Sequence, residues 1–285
     1  MAPRPQQPVG IERQYAKALK QYARRLGKAC NLILVPEVPR LVEMAKRYRP
    51  DAASAVADRS WVDQLSELLE TTLGVVTGVQ EAGLAAAIGR YRSELDDMPG
   101  PSTIDAIGVA GFAEEISEHG RRQIIRMTKA QYGEQYARAE PWLADMLRSW
   151  EAQNLSLIRS IPERYVQDLE GTVIRAINEG QSATDLAATI KSTYDQPVKR
   201  AQLIADDQVG KLHSQLAQAR QRAIGVKEYV WRGILDARER PEHRRREGKT
   251  YEWSNPPSDG HPGQSVRCRC YGQPVFPPRD KARLQ

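Results

Sequence analysis

The sequence predicts a mainly α fold, an extended helical body carrying a small C-terminal α+β, β-rich module. Three observations predict it. Apolar residues recur at steps of three and four through most of the first 224 positions, the period of a helix with one buried face. Phe occurs twice and Tyr eleven times, so the cores must be built largely from Leu, Ile, Val and Ala, a composition that favours helices. After Gly225 the period becomes alternating, and the remaining tail holds seven prolines. A chain of 285 residues can bury one large or two medium cores.

The elements follow in order. Ile11, Tyr15, Leu19, Tyr22 and Leu26 lie at helical steps with Arg13, Lys17, Lys20, Arg24 and Arg25 mostly between them, which predicts an amphipathic basic helix stopped by Gly27. "LILVPEVP" is broken by Pro36 and Pro39, and "RLVEMAKRY" reads as helix until Pro50. Ser60 caps a single long helix expected over 60–97, ended by "DDMPGPST", and a helix or helix pair follows at about 103–137. Residues 141–180 predict two helices split near Pro162 and closed by Gly180; Ser182 and Asp185 then form a capping box for "ATDLAATIKSTY". A last helix runs over 198–224 from Pro197.

Beyond Gly225, "VKEYVWRGI" predicts a strand with Tyr229 and Trp231 on one face and Val226, Glu228 and Val230 on the other. "KTYEW" and "YGQPVF" are its expected partners. The organisation is therefore a basic N-terminal helical arm (1–58), a helical region (59–140), a second helical region (141–224) and the β-rich module (225–285). Truncation after Ile224 is expected to leave the helical body folded.

Net charge is +6, but residues 1–50 alone carry eleven Lys/Arg against three Glu, a local balance of +8. Such an arm suits phosphate contact, with Arg13, Lys17, Lys20, Arg24 and Arg25 as candidate nucleic-acid-binding residues, or it is simply a solvated face. The run Arg244, Arg245 and Arg246 admits the same two readings. The longest nearly uncharged run, "TTLGVVTGVQ", is about half of what a bilayer requires, and the start shows no secretory pattern, so a protein kept in the cytoplasm where it is made is expected. The sequence holds no phosphate-cradling glycine loop, HExxH or nucleophile elbow, and the reading is of a protein that is not an enzyme.

Two of the four histidines and two of the three cysteines fall within 236–270. Zinc would take His243, Cys268 and Cys270 as ligands, with Asp236 or His261 as the fourth, and would fix a tail poor in large apolar groups. The alternative is a hydrogen-bonded turn network, with Asp236 accepting from Arg238 or Arg240, His243 capping a carbonyl and both cysteines packed as small apolar groups. Either reading requires Asp236, His243, Cys268 and Cys270 to converge. A Cys-x-Cys disulfide is set aside as strained and exposed to a reducing cytoplasm.

From about 142 to 276 the chain resembles the phage head morphogenesis family, the phage Mu protein F-like minor head proteins. Trp150, Asn154, Leu157, Ile158 and Ile161, then "INEGQSATDLAATI", carry the weaker part. The sharper part is Gly225, Val226, Tyr229, Trp231, Asp236, Arg238, Arg240 and His243, followed by Gly248, the turn at Pro256, Pro257, His261 and Pro262, and "RCRC". Glu239 departs from the Thr common at that place, and "GQSV" from an Asn before the first cysteine. The resemblance implies a minor capsid protein of a tailed bacteriophage, acting in head morphogenesis at the portal vertex. Its implied partners are the portal protein and the major capsid or scaffolding proteins, with genomic DNA where the basic residues touch it. It implies a place in the virion head, after assembly in the host cytoplasm. Two other classes remain open: a zinc-dependent nucleic-acid-binding protein, and a metal-dependent hydrolase or toxin domain.

Overall fold

A computed structural model describes residues 3–47, 60–78 and 85–284. The protein is mainly α, with a three-stranded antiparallel sheet in the C-terminal region. The helices are α1 (Val9–Ile33), α2 (Val38–Arg47), α3 (Trp61–Thr77), α4 (Ala85–Asp96), α5 (Val109–Tyr132), α6 (Leu143–Asn178), α7 (Ala183–Ser192) and α8 (Gln196–Ala223). Strand β1 (Glu228–Arg232), the short helix α9 (Pro241–Arg244), β2 (Thr250–Glu252) and β3 (Tyr271–Val275) follow. The chain packs as two units. One comprises residues 1–15, 109–154 and 203–285, the other 16–108 and 155–202. Among the described residues no helix is long and apolar enough to cross a membrane.

Among the described residues, the unit of 16–108 and 155–202 contains helices and turns but no strand. Leu19, Tyr22, Leu26, Cys30 and Ile33 of α1 are buried, as are Leu41 of α2, Leu65 and Leu69 of α3, Tyr165 and Leu169 of α6, and Leu186 and Ile190 of α7. The basic N-terminal helix is thus a core element and no free arm. It also runs through Gly27 to Ile33, where a stop was expected. A Cβ at Gly27 would lie 3.0 Å from the ring of Tyr194, so this glycine serves a close approach inside the helix. Burial pushes the Cys30 thiol up to about 12, which makes it an inert packing residue.

Ser60 caps α3 as expected, accepting from the Val62 N–H at 3.2 Å. The helix ends at Thr77, however, because Gly78 adopts a left-handed conformation (φ 78°) and closes onto the Gly74 carbonyl, so 60–97 is not one helix. The expected continuation through 79–84, and the stop at Pro50, lie outside the described residues. Helix α6 passes through Pro162 without a break, against the expectation of two helices. Ile158, Ile161, Tyr165, Leu169 and Val173 form one buried stripe, and their packing outweighs the hydrogen bond that the proline removes. The Ser182 cap of α7 stands, accepting from the Asp185 N–H at 3.1 Å.

The other unit combines the start of α1, α5, the start of α6, most of α8 and the C-terminal module. Its polar interior is fully engaged near the "W…N" pattern: Asn154 accepts from Tyr15 OH at 3.0 Å and donates to the Trp150 carbonyl at 2.8 Å, while Trp150 Nε1 donates to the Gln208 carbonyl at 2.9 Å. The sheet has the order β2-β1-β3, with Tyr229 opposite Tyr251 and Pro274, and Trp231 opposite Gly272. Tyr229 and Trp231 share the buried face, as the alternation predicts. Val226, expected on the other face, precedes the strand and is buried in the same core.

That core is shared rather than private to the module. Ile124, Met127, Tyr136 and Ile224 pack with Val226, Tyr229, Trp231, Trp253, Cys268, Cys270 and Leu284. Tyr132 OH also donates to the Pro277 carbonyl at 2.7 Å, and the Ala137 N–H to the Leu284 carbonyl at 2.9 Å. The tail therefore completes the interior of this unit, contrary to the expectation that the body keeps its own core without it.

Candidate metal centre in the C-terminal module

The buried face of β1 positions the site. Trp231 presents its ring to His243, with centroids 5.2 Å apart and planes at 74°. Arg240 and Pro241 start α9, whose single turn drops His243 into the interior at 2% exposure. The Arg246 guanidinium covers the Trp231 ring, 5.0 Å from its centroid. The chain then returns through 261–270 and delivers Cys268 and Cys270, both buried, with the half-buried Arg269 between them.

Cys268 Sγ and Cys270 Sγ lie 3.4 and 3.5 Å from His243 Nδ1. One ligand atom from each of these three residues lies within 4.8 Å of the others, the one such group of His, Cys, Asp and Glu among the described residues. His243 Nε2 faces Asp259 Oδ2 at 2.9 Å, which leaves Nδ1 toward the sulfurs. Burial opposes ionisation of Asp259, but the His243 hydrogen bond and Arg246 hold its carboxyl below the ordinary range. The Gly263 N–H points at Cys268 Sγ from 3.3 Å. A hydrogen bond from Cys270, aided by the Gly263 N–H and His243, outweighs burial and lowers the Cys268 thiol, while that same interaction and burial raise Cys270.

Glu239 stands out in the sequence only as a departure from the family pattern. Its Oε1 lies 3.4 Å from Cys270 Sγ, and its Oε2 accepts the Leu235 N–H at 2.5 Å. No local signal joins it to a cysteine 31 residues away. Leu235 (φ 61°) and Arg267 (φ 55°) adopt left-handed conformations unusual for non-glycine residues, and both flank the site. Asp207 Oδ1 accepts the Arg267 N–H at 2.9 Å, and Asp206 accepts from its guanidinium at 2.9 Å, which fixes the second of them.

The expected convergence is therefore partial. His243, Cys268 and Cys270 meet; Asp236 does not join them. Arg269 takes both Asp236 oxygens, at 2.6 and 2.7 Å, and this bond lowers the Asp236 carboxyl well outside the buried pocket. His261 also stands apart. Its Nδ1 lies 3.0 Å from Tyr229 OH and its ring packs on Trp253 at 4.9 Å, so it braces the aromatic side of the module.

Of the candidate phosphate-binding residues, Arg13, Lys17 and Arg24 are exposed on α1 and Lys20 is half-buried. Arg25 is 2% exposed and donates to the Leu95 carbonyl at 2.7 Å and the Met98 carbonyl at 3.1 Å, so it is a core tie. Arg244 and Arg245 are exposed, with Arg244 also donating to the Asp236 carbonyl at 2.7 Å, whereas Arg246 is committed to Trp231 and Asp259.

Fold and site together define a helical protein whose small β module closes around a histidine and two cysteines. Residues 167–272 match the family described as Phage Mu protein F like protein, a stretch that contains all three converging residues. The resemblance read from the sequence thus holds over that region. The chain is 36% identical over 170 residues to an uncharacterized protein of Haemophilus influenzae, and the aligned part is 58% of this chain and 38% of that relative. The chain therefore spans well under half of the relative's length. No solved structure matches the chain.

Proposed function

We propose that the protein is a structural component of tailed-phage head morphogenesis, a minor head protein that binds the portal vertex and touches packaged DNA. The observation that carries this reading is the match of residues 167–272 to the phage Mu protein F-like family, over the same stretch that builds the buried centre. Its role is to present surfaces: the centre is enclosed by packed side chains, as suits a structural element rather than a reaction site. The exposed Arg13, Lys17, Arg24, Arg244 and Arg245 are the groups available to phosphates; Arg25 and Arg246 are withdrawn from that set by their internal partners.

The test is the composition of purified procapsids and virions assembled with the wild-type chain, together with co-purification against the portal protein of the same phage. The chain is expected in few copies per particle and in a complex with portal. Its absence from procapsids and failure to retain portal would overturn the reading. For DNA binding, Lys17→Glu with Arg24→Glu is expected to weaken affinity for random duplex and to flatten its salt dependence, the slope falling by about 1 for each phosphate no longer neutralised. Unchanged binding would remove α1 from any DNA-facing role.

A further inference from the structure

We propose that His243 Nδ1, Cys268 Sγ, Cys270 Sγ and Glu239 Oε1 hold one zinc ion that locks the C-terminal module. Three features of the geometry point there. The first is spacing. Zinc bonds of about 2.3 Å to sulfur and 2.0–2.1 Å to nitrogen, at tetrahedral angles, require sulfur–nitrogen edges of about 3.5 Å. The two edges are 3.4 and 3.5 Å, and the Cys270–Glu239 sulfur–oxygen edge is 3.4 Å. Glu239 touches only Cys270 of the three and lies outside the group whose ligand atoms all fall within 4.8 Å of one another, so to complete the set its carboxylate must move toward His243 and Cys268.

The second feature is the imidazole. With Nε2–H donated to Asp259, Nδ1 offers a single lone pair, yet two sulfurs converge on it. One thiol proton can use that lone pair; a cation accepts all three donors at once. The carboxylate behind the histidine is the partner that fixes ring and tautomer in metal sites. The third feature is space. A cavity of about 20 Å³ lies among Glu239, His243, Cys268 and Cys270, room for a single small ion or water. Arg238, Arg240, Arg267 and Arg269 line the same cavity; Arg238 and Arg269 also pair with Asp236 and Arg267 with Asp206, so it is the net positive charge of this group that faces two thiolates and a carboxylate. With four protein ligands the ion has no open position, and its contribution is folding free energy for strands of only five, three and five residues.

The experiment uses the full-length protein purified without chelator. Metal content is measured by mass spectrometry, zinc is titrated into the stripped protein, and cobalt(II) is substituted to read thiolate-to-metal charge-transfer absorption. About one zinc per chain and a thiolate-type cobalt spectrum are expected. Asp259→Asn should weaken zinc binding about 10- to 100-fold, Glu239→Gln should weaken it, and His261→Gln should leave it unchanged. A stripped protein that takes up no zinc overturns the proposal in favour of a thiol network, Cys268 bonded to His243 and Cys270 to Glu239. So does cobalt bound without thiolate bands, a reading on the wild-type chain that needs no variant to fold. Unchanged affinity in Glu239→Gln overturns the assignment of the fourth ligand.

Discussion

Arg220 shows how far a single side chain can organise an interior. Its guanidinium takes Glu140 Oε1 at 2.7 Å and Oε2 at 2.8 Å, the Ser117 carbonyl at 2.8 Å and Ser117 Oγ at 2.9 Å. Gly120 makes room, since a Cβ there would come 2.8 Å from the guanidinium. Neither partner was legible in the sequence, where Arg220 is one more charge on a helix and Glu140 lies 80 positions away. The same neighbourhood contains His213, pushed down to about 3 by burial, His119 and Arg220. The folded state therefore keeps His213 neutral while the unfolded chain binds a proton below the ordinary value of 6.5. The unfolded state holds more protons between those two values, so this contribution is complete above about 6.5 and is lost as pH falls toward 3, with a slope of at most about 1.4 kcal/mol per pH unit. Urea unfolding at pH 7, 5 and 4 should show a shallower loss in His213→Gln than in the wild type. Equal slopes would mean that His213 titrates alike in both states.

At the scale of elements, local chemistry was legible and competition between signals was not. The Ser60 and Ser182 caps and the three strands follow from side chains acting on their own backbone or on the next turn. Gly27 and Pro162 misled because each is a helix breaker only where packing is silent. The Pro162 ring sits within a stripe of five buried residues, and Gly27 lets α1 approach Tyr194. A glycine-to-alanine change inside a helix ordinarily stabilises by about 0.5–1 kcal/mol. At Gly27 the new methyl would meet Tyr194 Cγ at 3.0 Å and Cβ at 3.2 Å, atoms near the backbone that cannot swing aside. Gly27→Ala is expected to cost about 1–3 kcal/mol instead, read as a lower midpoint in urea or heat. A gain in stability would show that α1 and Tyr194 separate freely.

At the scale of the molecule, the change of composition at Gly225 suggested a separable tail, whereas the core is shared across that boundary. Sequence pattern marks where the backbone changes type, whereas a core is defined by what packs on what. The module cannot bury Tyr229, Trp231 and Trp253 with three short strands, so α5 supplies Ile124 and Met127, and the turn after α8 supplies Ile224. The same economy explains why the candidate site was only partly legible: Cys268 and Cys270 stood out as a pair, but Glu239 and Asp259 enter through turns whose geometry no spacing rule encodes. Truncation after Ile224 should consequently expose the apolar faces of Ile124, Met127 and Tyr136 and remove the carbonyls of Pro277 and Leu284 that receive Tyr132 OH and the Ala137 N–H. The product is expected to retain helical circular dichroism, because most helices lie outside the module, yet to bind a hydrophobic dye and to lose part of its cooperative thermal transition. A truncated chain that unfolds as cooperatively as the full-length protein and binds no dye would show that the residues facing the module find other partners, and that the shared core is not what holds this unit together.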